Sequence, residues 1–262
     1  MIGIIGGSGL YSLDGLVEID RTRCTTAYGE PSSELVRVCG QHADSENKGK
    51  NKGGNQSKPK PVLLFVARHG ADHAIPPHRV NYRANVQALC DAGVTHIVAV
   101  NAVGSCNARF AVGDIVLPTQ LIDYTSGREH TFFDQLRDFN DHIDFTEPFS
   151  ESLQHRLQAV AEVVNVKTQL GGTYGVTQGP RLETAAEVQR LIRDGCDLIG
   201  MTAMPEAALA REKGLAYASL CVVVNSAAGL DSQVISTEAI SAVLAQSMER
   251  IGKMISSLLE PA

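Results

Sequence analysis

The sequence predicts a single α/β domain: a mixed central sheet flanked by helices on both faces. Three observations predict it. Apolar, strand-like runs alternate with helix-like stretches across all 262 residues, the pattern of layered α/β folds. Several of those runs end in small-residue turns, such as Gly6-Gly7-Ser8-Gly9 and Asn225-Ser226-Ala227-Ala228-Gly229. No internal repeat or linker interrupts the alternation, so residues 1–262 are expected to form one domain.

Strands are expected at Ile2–Ile5, Leu35–Cys39, Val62–Ala67, His96–Val100, Ile115–Leu117, Asp197–Met201 and Tyr217–Val224. Helices are expected at Arg79–Ala92, Ser150–Asn165, Ala185–Arg193, Pro205–Lys213 and Glu238–Leu259. Thr184 to Glu187 fits a capping box, which sets the start of the third helix. One stretch stands apart. Gln41 to Lys60 is polar, glycine-rich and lysine-rich, with nothing to bury, and reads as a flexible surface insertion. A basic arm for an anionic partner is the weaker alternative, because charge runs are usually solvated.

Composition narrows the class. The chain is 44% hydrophobic and 20% charged, with a net charge of −6 and a pI near 5.7. An acidic balance argues against nucleic acid or an anionic membrane as partner. Six scattered cysteines without a Cys-x-x-Cys pair read as free thiols in a reducing, cytoplasmic compartment. The first residues lack the basic and long apolar regions of a signal peptide, and no run reaches membrane-spanning length.

Chemistry concentrates at the strand ends. Gly6-Gly7-Ser8-Gly9 follows a strand, so backbone N–H groups and the Ser8 hydroxyl could form an anion nest. Taken alone it is equally a tight turn. It lacks the dinucleotide fingerprint, so an oxidoreductase fold has little support. Arg68-His69-Gly70 also follows a strand, and arginine is a forked donor suited to phosphate. His69, His73 and His78 are close in sequence, but only Asp72 accompanies them at ligand spacing, which argues against a metal. In Gly179-Pro180-Arg181-Leu182-Glu183, Glu183 is either a helix-end charge or an acceptor facing a pocket partly lined by Leu182. Gly200 to Glu206 reads as strand, turn and helix, in which Thr202 could donate to an anion and Glu206 could simply complement the helix dipole.

In order and spacing, these segments together with Asn101-Ala102-Val103-Gly104-Ser105 and Asn225 resemble the trimeric purine nucleoside phosphorylase and methylthioadenosine phosphorylase family. The likeness covers nearly the whole chain outside Gln41–Lys60. It implies a phosphorylase-like α/β fold and a homotrimer that splits an N-glycosidic bond with inorganic phosphate as co-substrate, using no metal and no organic cofactor. By that resemblance Ser8, Arg68, His69, Ala102 and Thr202 correspond to a phosphate site. Met201 corresponds to a sugar contact, and Leu182, Glu183 and Asn225 to the base site, with Asn225 and Glu183 the catalytic pair.

Specificity follows from the departures. Where methylthioadenosine phosphorylases carry two aspartates, this chain has Asn225 and Ala227, and it has the Glu183 of the 6-oxopurine enzymes. Hypoxanthine or guanine is therefore expected as the base. Near the sugar 5′ position, Thr237 stands in place of a histidine, and Ile235 and Ile240 could house a methylthio group. The two ends together predict S-methyl-5′-thioinosine, with inosine or guanosine as the alternative and methylthioadenosine behind them. Leu182 replaces the phenylalanine that usually stacks on the base. A hydrolytic nucleosidase is the chemical rival, against which Arg68 argues because water needs no anion site. A non-catalytic nucleoside-binding protein is the other.

Overall fold

The computed structural model describes residues 1–7, 16–40, 62–136, 138–231 and 235–259. Ser8 and the 41–60 insertion therefore lie outside the described residues. Among those described, no helix is long and apolar enough to cross a membrane.

The strands are β1 (Ile2–Gly6), β2 (Leu16–Thr22), β3 (Leu35–Gly40), β4 (Leu63–Ala67), β5 (His96–Ser105), β6 (Ile115–Leu117), β7 (Gln120–Asp123), β8 (Thr168–Leu170), β9 (Thr173–Val176), β10 (Leu198–Gly200) and β11 (Ala216–Ser226). The helices are α1 (Tyr82–Asp91), α2 (Glu151–Val163), α3 (Ala185–Arg193), α4 (Ala203–Glu212) and α5 (Thr237–Ser257). They form the expected mixed sheet. Its main path runs β2-β3-β4-β1-β5-β10-β9-β7, and β11, β6 and β8 branch from β5.

Side-chain alternation explains the layers. Ile5, Ile97 and Ala99 pack in the cluster that holds α1 and α4 residues such as Leu89 and Ala207. Their neighbours Ile4 and Val98 fall in the opposite cluster, with Leu157 of α2 and Ile255 of α5. Successive strand residues point to opposite faces, so a strand covered on both sides must be apolar throughout. That is why β1, β4 and the Ile97–Val100 part of β5 read as unbroken apolar runs.

Local chemistry sets the helix starts. Asn81 caps α1 by accepting from the Ala84 amide, so the helix begins after the expected Arg79. Thr184 and Glu187 form both bonds of the expected capping box. The four strands absent from the sequence reading are β2, β7, β8 and β9. The last three span only three or four residues, and β2 is a partly exposed edge.

Candidate active site

β5 positions the site. On one side it pairs with β1 as far as Ile5↔Ala99 and with β10 only from Ile199↔Gly104. Among the described residues, no strand fills the interval from Val100 to Val103 on that side. The segment Asn101–Ser105 is thus continuous strand rather than the end of one, held by β11 on its other edge. A cavity of about 370 Å³ opens beside this interval, past the carboxyl ends of β1 and β4. Ligand sites in α/β sheets favour such a divergence.

Arg68 closes the gap from below. Its Nη1 donates to the Val100 carbonyl at 2.9 Å, a group that has lost its strand neighbour there. Gly7 must be glycine, because a Cβ would lie 2.4 Å from that carbonyl and 2.9 Å from Nη1. The rest of the fork faces a carboxylate. Nε and Nη2 donate to Glu206 at 2.7 and 2.9 Å, with Arg68 1% and Glu206 0% exposed. Glu206 is therefore a buried counter-ion, held also by the Tyr217 hydroxyl at 2.9 Å, rather than a dipole-complementing charge. Burial works against the Arg68 charge, but Glu206 beside it wins and holds the guanidinium above its usual range. Among the described residues these three bonds leave two of the five guanidinium N–H groups for the cavity that Arg68 lines.

His69 also lines the cavity and is 7% exposed. Its Nδ1 lies 2.8 Å from the Ile75 carbonyl, which can only accept, so the proton sits on Nδ1 and Nε2 is unprotonated. Burial, and then the Arg68 charge, push its pKa down to about 4. An unfolded chain would protonate this ring near pH 6.5. The folded state thus binds fewer protons between those values, and stability contributed above pH 6.5 is lost as the pH falls toward 4. Urea midpoints should drop across that window, and His69→Asn should flatten the drop. An unchanged pH slope in the variant would refute this account.

The wall continues along β5 and its partners. Ala102 and Gly104 face the cavity, as do Met201 and Thr202 between β10 and α4. Thr202 accepts from Asn101 Nδ2 at 2.8 Å. A register shift in β11 between Val223 and Asn225 brings Asn225 opposite Gly104, a bulge that re-aims a side chain. Asn225 Nδ2 donates one N–H to the Ser226 carbonyl at 2.6 Å, which among the described residues leaves the second. Glu183 Oε1 accepts from Thr177 Oγ1 at 2.6 Å, and the carboxylate lines the same cavity. Leu182 sits at its wall, 49% exposed.

Thr237 is placed differently from the sequence expectation. It is exposed and absent from the cavity wall, which Ile235 and Ile240 line instead. Ser236 is the N-cap of α5, accepting from the Ala239 amide, so Ile235 and Ile240 occupy the N′ and N4 positions of a hydrophobic staple. Thr237, at N1, is left outside. The two isoleucines also border a smaller space of about 270 Å³ with Val112 and Val243.

One organising residue had no signal in the sequence. Arg128 is buried in an otherwise polar loop and donates to the carbonyls of Gln178, Met201 and Met204 at 2.8, 2.9 and 2.6 Å. It ties the Glu183 loop to the Met201–Thr202 turn. Among the described residues, no group of three His, Cys, Asp or Glu side chains could hold a metal.

The arrangement has two chemically distinct parts. Val100, beside Arg68, and Gly104, beside Asn225, are four residues apart on β5, roughly 13 Å at a strand's rise. One part offers N–H and O–H donors suited to an oxyanion. The other pairs an amide with a carboxylate, suited to a planar polar ring.

Comparison with known proteins identifies the family. The chain matches the Phosphorylase superfamily over residues 1–260. A Pseudomonas syringae pv. tomato protein named "Probable S-methyl-5'-thioinosine phosphorylase" is 46% identical over 257 residues, covering 98% of this chain and 97% of its own. A Pyrococcus furiosus protein named "6-oxopurine nucleoside phosphorylase" is 38% identical, covering 97% and 90%. Among solved structures, methylthioadenosine phosphorylase from Schistosoma mansoni in complex with adenine is 30% identical, with a TM-score of 0.84 and coverage of 98% and 90%. The fold, the forked strand with its cavity and these near full-length matches place the chain in the Phosphorylase superfamily.

Proposed function

We propose that the protein is a pentosyltransferase that cleaves S-methyl-5′-thioinosine with inorganic phosphate, giving hypoxanthine and 5-methylthioribose 1-phosphate, a purine salvage step. The observation that carries this reading is the convergence of Asn225 and Glu183 on one cavity with Arg68, His69 and Thr202. In the reaction the bond from C1′ to the base nitrogen breaks, its electron pair leaves with the purine, and a phosphate oxygen bonds to C1′. The sugar passes through an oxocarbenium-like state that the phosphate negative charge stabilises and then captures. The departing purine gathers charge, which the free Asn225 N–H stabilises at N7 or O6, while Glu183 accepts from N1–H. Ser8, outside the described residues, is proposed to join the phosphate donors.

The 6-oxopurine assignment is supported by the absence of a carboxyl group at Asn225 and Ala227. The 5′-methylthio assignment is supported by Ile235 and Ile240 on the cavity wall and by the name of the Pseudomonas relative. The reading needs no metal or organic cofactor. We further propose a cytoplasmic homotrimer; the six free cysteines support a reducing compartment.

Base release should be measured with S-methyl-5′-thioinosine, methylthioadenosine, inosine and guanosine, each with and without phosphate. Phosphate-dependent cleavage of methylthioinosine in clear preference to the others is expected. Preference for inosine or guanosine would retain the base assignment and overturn the 5′ argument. Preference for methylthioadenosine would overturn the roles of Asn225 and Ala227. Cleavage without phosphate would make the protein a hydrolase.

A further inference from the structure

Three buried polar side chains lead from the sheet interior to the cavity: Ser219 on β11, Asn101 on β5 and Thr202 before α4. Buried hydroxyls and amides need partners, and each of these finds one. Ser219 Oγ donates to Asn101 Oδ1 at 2.6 Å, and Asn101 Nδ2 donates to Thr202 Oγ1 at 2.8 Å.

We infer that Asn101, oriented by Ser219, fixes the polarity of the Thr202 hydroxyl so that its proton points into the cavity toward an ionised phosphate oxygen. The inference rests on the phosphorolytic reading above and deepens it, because it assigns positioning residues to the co-substrate end.

The direction of the chain follows from donor and acceptor inventories. An amide must offer oxygen to one neighbour and nitrogen to the other. The remaining contact of Ser219 is the Cys221 sulfur at 3.3 Å, a weak acceptor. The Ser219 proton therefore belongs on the better acceptor, Asn101 Oδ1. Burial pushes the Cys221 thiol up to about 12, so its own S–H remains available to Ser219 Oγ. With Oδ1 facing Ser219, Nδ2 must face Thr202.

Thr202 is bracketed on a further side. The Tyr174 hydroxyl is buried beside it and has no hydrogen-bond partner among the described residues. Burial raises that phenol above its ordinary range, so it keeps its proton. Gly200 allows the approach, since a Cβ there would lie 2.2 Å from the phenolic oxygen. With Asn101 donating to its oxygen, the Thr202 hydroxyl is free to turn its own proton toward the cavity it lines. A hydroxyl donating to an ionised oxygen makes a strong, charge-assisted bond.

Asn101→Asp tests this with little change of shape. The new carboxylate would accept from both hydroxyls and turn the Thr202 proton away. The KM for phosphate should rise about tenfold or more, the loss of one charge-assisted hydrogen bond, while the nucleoside KM stays within about threefold. The ratio of variant to unaltered phosphate KM should shrink as pH falls and the carboxyl regains a proton. In a Thr202→Val background, Asn101→Asp should add less than about threefold, because its effect runs through that hydroxyl. Ser219→Ala, which brings no buried charge, should raise the phosphate KM in the same direction and serves if Asn101→Asp fails to fold. Equal effects with and without the Thr202 hydroxyl, or a matching rise in nucleoside KM, would overturn the inference alone. Absence of phosphate-dependent base release in the unaltered chain would overturn the phosphorolytic reading, and the inference with it.

Discussion

Asn225→Ala is expected to lower kcat/KM for the purine nucleoside by about 10²–10³, the scale for one preorganised donor aimed at developing charge. The bulge in β11 holds this amide opposite Gly104, with one N–H fixed on the Ser226 carbonyl. The remaining N–H is already oriented when the leaving base becomes negative, so little reorganisation is needed. Losing it raises the barrier of bond cleavage more than it weakens ground-state binding. The decrease should therefore appear mainly in kcat, measured by steady-state base release. The melting temperature should move little, because Asn225 is half-buried at the cavity wall rather than in a core cluster. A variant that retains the full rate would remove Asn225 from the leaving-group role.

Glu206→Ala is expected to produce the largest loss of stability, about 3–5 kcal/mol, the range for stripping one partner from a buried ion pair. Arg68 would remain charged and buried without its counter-ion, and the Tyr217 hydroxyl would lose its acceptor. For a chain of this size, that corresponds to a fall in Tm of roughly 6–20 °C. Removing both ends, in Glu206→Ala with Arg68→Ala, should cost less than the sum of the two single changes, because no uncompensated charge remains. Thermal unfolding followed by circular dichroism measures all three. A Glu206→Ala variant that melts with the unaltered protein would show that Arg68 is neutralised by something else.

The strands and helices legible in the sequence were those with a local signature. Ile115–Leu117 and Ala185–Arg193 are observed with the expected limits. The first is a short apolar run, and the second starts on a four-residue capping box. The extension of β5 through Asn101–Ser105 had no such signature. Small and polar residues there look like a turn, and only pairing with β11 and β10 makes them strand. β7, β8 and β9 are too short for an alternating pattern to emerge.

At the candidate site, Arg68, His69, Ala102, Leu182, Glu183, Met201, Thr202, Asn225 and Ile240 come together at one cavity from distant parts of the chain. Thr237 does not, because the N-cap at Ser236 sets which residues of the first turn face inward. Arg128 had no legible role, since its partners lie around residues 178, 201 and 204 and none is within one helical turn of it in sequence.

The sequence by itself determined the α/β class, the helix caps, and the presence of an uncharged amide at position 225 with alanine at 227. Each depends on residue type or on interactions reaching a few positions along the chain. Only the tertiary structure decided which polar groups are consumed within the protein and which remain for a ligand. Arg68 and Glu206 are 138 positions apart, and Ser219 and Asn101 are 118. Hydrogen-bond satisfaction in a buried site depends on such long-range partners, and no local pattern encodes them.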